Sequence, residues 1–363
     1  MTELPRPGRS AAVAAAFAPG SVSADAVERP ITVDQTNYSV IVGELVVVKW
    51  LLPPVHGTHP TVRSMTHLCS VGFTEMPIFY GALVEGEFTT AIITGFVTGA
   101  LDGWDWYVDE LSIAVESGDV SVPLASAERI GALTARLHHS LATPSPTIPM
   151  PRQTGSLTDE ATRGMLLLGE ALEPVVCLAD GAITDRGAAT GDHRTDIEAV
   201  RTDIVAERAD EITGLLERLA THPLPVQPVH GDLHVGQILR SATSMLVNDF
   251  DGSPVAEAAA RLQPRSTLVD LASMLQSIDH VARVVSRRRP SRARTLDAFL
   301  VDAPIRALGG YTCELGGEQP INVEALFTLS IIQELHEFVY ARRSLPSWNY
   351  VPAAALASLL PRR

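Results

Sequence analysis

The sequence predicts an α+β chain in two lobes, a small mixed β lobe followed by a larger, mainly helical one. Three observations carry this expectation. Strand-like apolar runs crowd into residues 31–97, with the β-branched run Leu45-Val46-Val47-Val48-Lys49 at their centre. Beyond that stretch, apolar residues recur at helical spacing, as in Ile130, Leu133, Leu137 and Leu141. Between two such helical regions, His230–Gly252 packs carboxylates and a side-chain amide into one short strand–loop–strand segment.

Taken along the chain, Ala11–Ala18 is alanine-rich but short, and Pro19-Gly20 ends it, so an N-terminal helix is expected rather than a secretory segment. The hairpin Ser39–Val48 turns at Gly43-Glu44, and its second strand ends in a single cation, Lys49. Pro60–Ser70 reads as a helix with no acidic residue from Val55 to Thr74. Strands Ile78–Val84 and Thr89–Val97 follow, joined by the turn Glu85-Gly86-Glu87. A helix over Ala125–Leu141 carries His138 and His139, expected as packed or capping side chains. The prolines of Thr143–Pro151 make a stiff extended linker. Residues 157–221 read as helices around a polar stretch, Asp180–Arg194. Ser266 or Thr267 caps the next helix, whose buried stripe is Leu268, Leu271, Leu275 and Ile278. Arg287–Arg294 reads as a solvated basic loop. In the last helix, Ile331, Ile332, Leu335, Phe338 and Val339 form the apolar side, with Gln333, His336, Glu337 and Tyr340 off it.

The central segment holds the chemistry. Asp232 sits in a loop after Val226 and Val229, where a carboxylate can accept the proton of a hydroxyl attacking phosphorus. Gln237 offers a neutral amide oxygen, a hard ligand suited to magnesium. Met245-Leu246-Val247 reads as a short buried strand, and Asp249 at its end is a second ligand able to bridge Mg2+ to nucleotide phosphates. Phosphoryl transfer needs positioning and charge neutralisation more than covalent help.

This order of groups resembles the catalytic and metal loops of eukaryotic-like kinases, within the aminoglycoside-phosphotransferase-like branch. The match tightens on the bacterial maltokinases and the actinobacterial glucosamine kinases. Their pattern H-G-D-L-H-x-G-Q, then D-F-D/E-G-x-P, is met here almost letter for letter, Pro254 included. The resemblance implies a two-lobe protein-kinase-like fold. Residues 1–97 would be an N-terminal cap and nucleotide-binding β lobe, and 98–363 a helical lobe with the catalytic loop, metal loop and sugar site. ATP would be the co-substrate. Lys49 resembles the kinase strand lysine that grips phosphates, paired with Glu75 or another carboxylate, or with phosphate alone. Val97 would lie in the adenine-binding hinge. Asp251 would be a further metal ligand or a plain loop carboxylate. Asp102-Gly103-Trp104-Asp105-Trp106 is similar to a maltokinase segment and is expected as an aromatic plug between lobes. Asp270 resembles the buried kinase aspartate that holds the catalytic loop. The last helix resembles the maltokinase C-terminal helix, in which a Glu and a Tyr, here Glu337 and Tyr340, precede a P-x-W segment, here Pro346-Ser347-Trp348; the expected substrate contacts are Asp232, Gln333, His336, Glu337 and Trp348.

Composition fits a cytoplasmic enzyme acting on small molecules. The net charge of −14 argues against nucleic-acid or anionic-membrane partners, and no run of about 18 apolar residues exists to cross a bilayer. Cys69, Cys177 and Cys313 have neither disulfide nor metal spacing. Nothing specifies an oligomeric state. Glucosamine, phosphorylated at its 6-hydroxyl, is the expected acceptor, because Glu337 in an acidic chain suits an ammonium and the chain is short for a maltokinase. Maltose at its anomeric hydroxyl, an aminoglycoside, and a non-catalytic nucleotide-binding module are the other readings.

Overall fold

The computed structural model describes residues 4–31, 37–173, 205–221, 223–252, 260–317 and 320–360. Pro254 and the stretch Asp180–Arg194 lie outside these residues. The first lobe is a five-stranded sheet ordered β1-β2-β3-β5-β4, every neighbouring pair antiparallel. Its strands are β1 (Glu28–Pro30), β2 (Tyr38–Val42), β3 (Val46–His56), β4 (Phe79–Glu85) and β5 (Phe88–Gly95). At the β2–β3 turn both Gly43 and Glu44 take positive φ, 59° and 56°, the conformation that suits the twist of a tight hairpin. Val40, Val42, Val46 and Val48 point to one buried face.

The strand bearing Lys49 runs on to His56, so Lys49 stands in its middle and not at its end. Pro53 and Pro54 are accommodated where the register shifts between Trp50 and Val55, a place where the ladder does not need their missing N–H groups. Helix α1 (Arg9–Phe17) lies on the sheet through Ala11 and Ala14. The Glu28 carboxylate caps it, accepting from Gly8 N at 3.0 Å and Ala11 N at 2.8 Å. Helix α2 (Pro60–Ser70) falls where the sequence predicts it. Proline at its start has no N–H to waste, and His59 Nδ1 accepts the Thr61 N–H at 3.2 Å.

The remainder is mainly helical. Helices α3 (Gly103–Ser117), α4 (Ser121–Leu141), α5 (Thr158–Leu172), α6 (Ala209–Thr221), α7 (Leu268–Arg288), α8 (Ala293–Glu314), α9 (Val323–Ser344) and α10 (Tyr350–Leu359) surround two apolar clusters. Tyr107, Phe299 and Leu137 fill the first and Phe338, Ile331 and Leu216 the second, each fully buried side chain contributing roughly 1.5–3 kcal/mol. Helices α4 and α8 touch backbone to backbone: a Cβ on Gly310 would sit 2.1 Å from the Glu128 carbonyl oxygen. The basic island proves helical rather than a loop. Arg287 and Arg288 end α7, and Arg289 and Arg292 both pair with Glu116 of α3, at 2.8 and 2.9 Å. No helix among the described residues is long and apolar enough to cross a membrane.

Candidate functional site

The segment His230–Gly252 is entered through the short strand β7 (Leu224–Val226), which pairs with β6 (Gln153–Gly155) beyond the proline linker. A 3₁₀ turn, Val235–Gln237, then leads into the hairpin β8 (Ile238–Arg240) and β9 (Met245–Val247). Its register pairs Ile238 with Val247, and Asn248 N donates to the Gln237 carbonyl at 2.8 Å. Two residues eleven apart in the chain thus become neighbours, and Asp249 is the next residue on. Asp249 is held at φ 57°, a left-handed conformation uncommon for a residue with a side chain and frequent at functional turns.

The loop before the hairpin is fastened from three sides. The buried Asp270 carboxylate accepts the N–H groups of His230 and Gly231, both at 2.8 Å. Ser277 Oγ accepts the Val235 N–H at 2.9 Å. Gly103 at the start of α3 lies so near Val235 that a Cβ there would meet its carbonyl oxygen at 1.7 Å. His138 is the packed histidine expected, bridging Asp270 Oδ2 at 3.1 Å and the Tyr311 hydroxyl at 2.9 Å.

Two cavities flank this loop. One, of about 510 Å³, opens between the sheet and the hairpin and is lined by Val47, Lys49, Val97, Leu239, Phe250 and Asp249 among others. Lys49 Nζ donates to Asp249 Oδ1 at 2.9 Å and Asp251 Oδ2 at 2.7 Å. Burial alone would lower the ammonium's pKa, but the two carboxylates outweigh it and raise it. Glu75 is not the lysine's partner. It forms a two-pronged pair with Arg136, 2.7 Å on each side, and its carbonyl accepts the Val247 N–H. Helix α2 offers the lysine no acid, and it reaches across to Asp249 and Asp251 instead.

The other cavity, of about 410 Å³, lies on the helical side and brings together Asp232, Gln333, His336, Glu337 and Trp348. The five substrate positions expected from sequence therefore share one wall set. Burial raises the Asp232 carboxyl to about 6, with Asp249, Asp270 and Glu337 adding negative charge against the opposing effect of His230. Burial also raises Glu337, and lowers His336 to about 4. Trp104 differs from the expected plug. Asp102 caps α3 by accepting from Trp104 N and Asp105 N, and Trp106 is the buried plug, its indole donating to the Ile238 carbonyl at 3.0 Å. Trp104 instead lines the second cavity, edge-on to Trp348 at 6.1 Å.

Sequence reasoning missed three groups here. Arg163 of α5 lines the same cavity, its pKa lowered by burial and by Arg265 beside it. His280 of α7 and Glu334 of α9 form a buried pair at 3.1 Å, and His280 lines the cavity beside Trp348, whose ring lies 6.1 Å from its own. Glu334 falls among the apolar residues of α9, where only a facing histidine explains a carboxylate. Asp279 and His280 with Glu334 could converge on a cation, but Asp279 is committed to Arg283 one turn away.

No family model matches the chain. The glucosamine kinase of Streptacidiphilus jiangxiensis is 36% identical over 349 residues, covering 93% of this chain and 74% of that one. The glucosamine kinase of Mycolicibacterium smegmatis is 35% identical over 345 residues, covering 92% and 79%. This chain belongs to the glucosamine kinase family. A solved glucosamine kinase in complex with glucosamine, ADP and inorganic phosphate superposes with a TM-score of 0.78 at 31% identity, over 99% of this chain and 84% of that one. The two-lobe fold is thus that of the glucosamine kinases. Within it, Asp249 lines the first cavity, and Gln237 sits across the hairpin from Asn248, the residue before it; a carboxylate and a side-chain amide oxygen are a donor set that fits a hard cation such as Mg2+.

Proposed function

We propose that this protein transfers the γ-phosphoryl group of ATP to the 6-hydroxyl of glucosamine. The observation that carries the reading is the meeting of two cavities at one carboxylate pair. Asp232 lines the second cavity, and Asp249 of the first lies near enough for its charge to raise Asp232. A nucleotide in the first would have Lys49 beside its phosphates and Val97 beside its base. A sugar in the second would set a hydroxyl against Asp232, a carboxylate whose pKa near neutrality suits a proton acceptor. Glu337 would hold the ammonium, and Trp348 would lie along the ring of the sugar, with Gln333 and His336 completing the polar wall. Magnesium, held by Gln237 and Asp249, would neutralise phosphate charge. The division into lobes at 97/98 fits this arrangement, since the sheet ends at Gly95 and α3 starts at Gly103. A reduced cytoplasm suits the free, exposed Cys69 and Cys313.

The test is turnover of ATP with magnesium against glucosamine, maltose and an aminoglycoside. The expected result is consumption driven by glucosamine, with phosphorus on the 6-oxygen by NMR. Dependence on maltose, or nucleotide binding with no turnover on any of the three, would replace this reading.

A further inference from the structure

The nucleotide lysine of a two-lobe kinase needs a counter-ion to hold its ammonium at the phosphates. Here helix α2 carries no acid, and Glu75 beyond it is engaged by Arg136. Asp251 fills the gap from the other lobe. Its Oδ2 accepts Lys49 at 2.7 Å, and its Oδ1 accepts the hydroxyl of Thr61, in the first turn of α2. Both oxygens of Asp251 are therefore occupied by protein donors, and its side chain is only 19% exposed against 38% for Asp249. A carboxylate so enclosed is poorly disposed to take a cation. Asp249, more open and with one oxygen on Lys49, is better disposed.

The geometry points to Asp251 as a positioning residue, an anchor that holds Lys49 at the nucleotide phosphates and ties it through Thr61 to helix α2, rather than a metal ligand. The division of labour follows from the charges. Lys49 bridges two carboxylates; when phosphates and a cation enter, Asp249 is the partner needed by the cation, and Asp251 keeps the lysine from following or swinging away. The helix contributes a neutral hydroxyl in place of an acid. Lysine, metal loop and helix thus form one hydrogen-bonded triangle across the cleft.

This rests on the nucleotide site proposed above, and the test separates the two. Binding of ATP without magnesium is measured by calorimetry for the wild type, Lys49→Met, Asp251→Asn and the double variant. Wild type that binds no nucleotide would remove the site itself. If the wild type binds, each single variant is expected to weaken magnesium-free binding about tenfold, and the double variant by no more than either, since both remove one coupled unit. The half-saturating magnesium concentration for turnover by Asp251→Asn should stay within about twofold of wild type. Additive losses would mean that Lys49 and Asp251 act independently and would overturn the anchor, and intact magnesium-free binding with a magnesium requirement raised about tenfold would make Asp251 a metal ligand instead. Thr61→Val serves if Asp251→Asn does not fold. It removes only the hydroxyl bond, and a two- to threefold weaker magnesium-free affinity is expected, roughly half the logarithmic effect of losing the anchor. Unchanged affinity in Thr61→Val would overturn the triangle.

Discussion

The Asp270 carboxylate accepts the backbone N–H of His230 at 2.8 Å, so a buried anion on α7 fixes the first residue of the catalytic loop. Every partner of that carboxylate is a donor. Gly231 gives a second N–H, and the Tyr311 hydroxyl, donating to His138 Nδ1, leaves a proton on Nε2 to face Asp270. Burial opposes the charge, and the hydrogen bond from His138 leads the interactions that nevertheless hold Asp270 below its usual value. Asp270→Asn would set an amide N–H against one of these donors. It is expected to lose about 3 kcal/mol in urea unfolding and to slow turnover more than tenfold. An unchanged urea midpoint would show that the loop is held by other means.

How much of this was legible beforehand depended on chain distance. Helix α2 could be bounded to the residue because proline and a capping histidine act locally. The catalytic hairpin could be read because its donors lie within one short segment and the order of residue types encodes the pairing. The partner of Lys49 could not be read, since Asp251 is 202 residues away and becomes its neighbour only in the folded chain. Glu334 was hidden for a similar reason: on its own helix it interrupts an apolar face, and only α7 supplies the histidine. Strand β3 was cut short at Lys49 because the β-branched run stops there, while in the sheet the strand continues through Pro53 and Pro54 by a register shift.

Asp232 carries a trade between stability and chemistry. A carboxyl held at about 6 instead of 3.8 disfavours the folded state once ionised, so its contribution is intact in acid and is lost as pH rises through about 6. Asp232→Asn should therefore stabilise the fold at pH 8, by on the order of 2 kcal/mol, and by much less at pH 4. The same substitution should cost about a thousandfold in turnover while ATP affinity changes little. In the wild type, kcat/KM should fall below pH about 6 as the base is protonated. A flat profile from pH 5 to 8 would assign proton acceptance elsewhere.

Trp348 and Glu337 should separate sugar binding from nucleotide binding. Both line the second cavity, and neither lines the first. Trp348→Ala removes an apolar wall, and Glu337→Gln removes a charge while keeping the shape. Each should raise the Michaelis constant for glucosamine about tenfold and leave that for ATP within about twofold. For Glu337→Gln the loss should be smaller with glucose, which has no ammonium. Equal losses for both sugars would remove the charge from the recognition.

His280 of the pair His280–Glu334 belongs to that same wall. Burial disfavours charge on both partners. It raises Glu334, while the facing carboxylate outweighs burial at His280 and raises it too. Both shifts mean that the folded protein binds protons here more tightly than the unfolded chain. The pair's contribution to stability is thus greatest in acid and is lost as pH rises through the elevated values. Removing one partner strands the other, so Glu334→Gln should cost about 2–3 kcal/mol at pH 6 and distinctly less at pH 9. Replacing both by leucine should restore most of the loss, because two apolar side chains need no partner. If the double variant is stable yet binds glucosamine several-fold more weakly, with ATP affinity unaltered, the pair contributes to the sugar site, which His280 lines edge-on to Trp348 at 6.1 Å. Wild-type sugar affinity in that variant would confine the pair to stability.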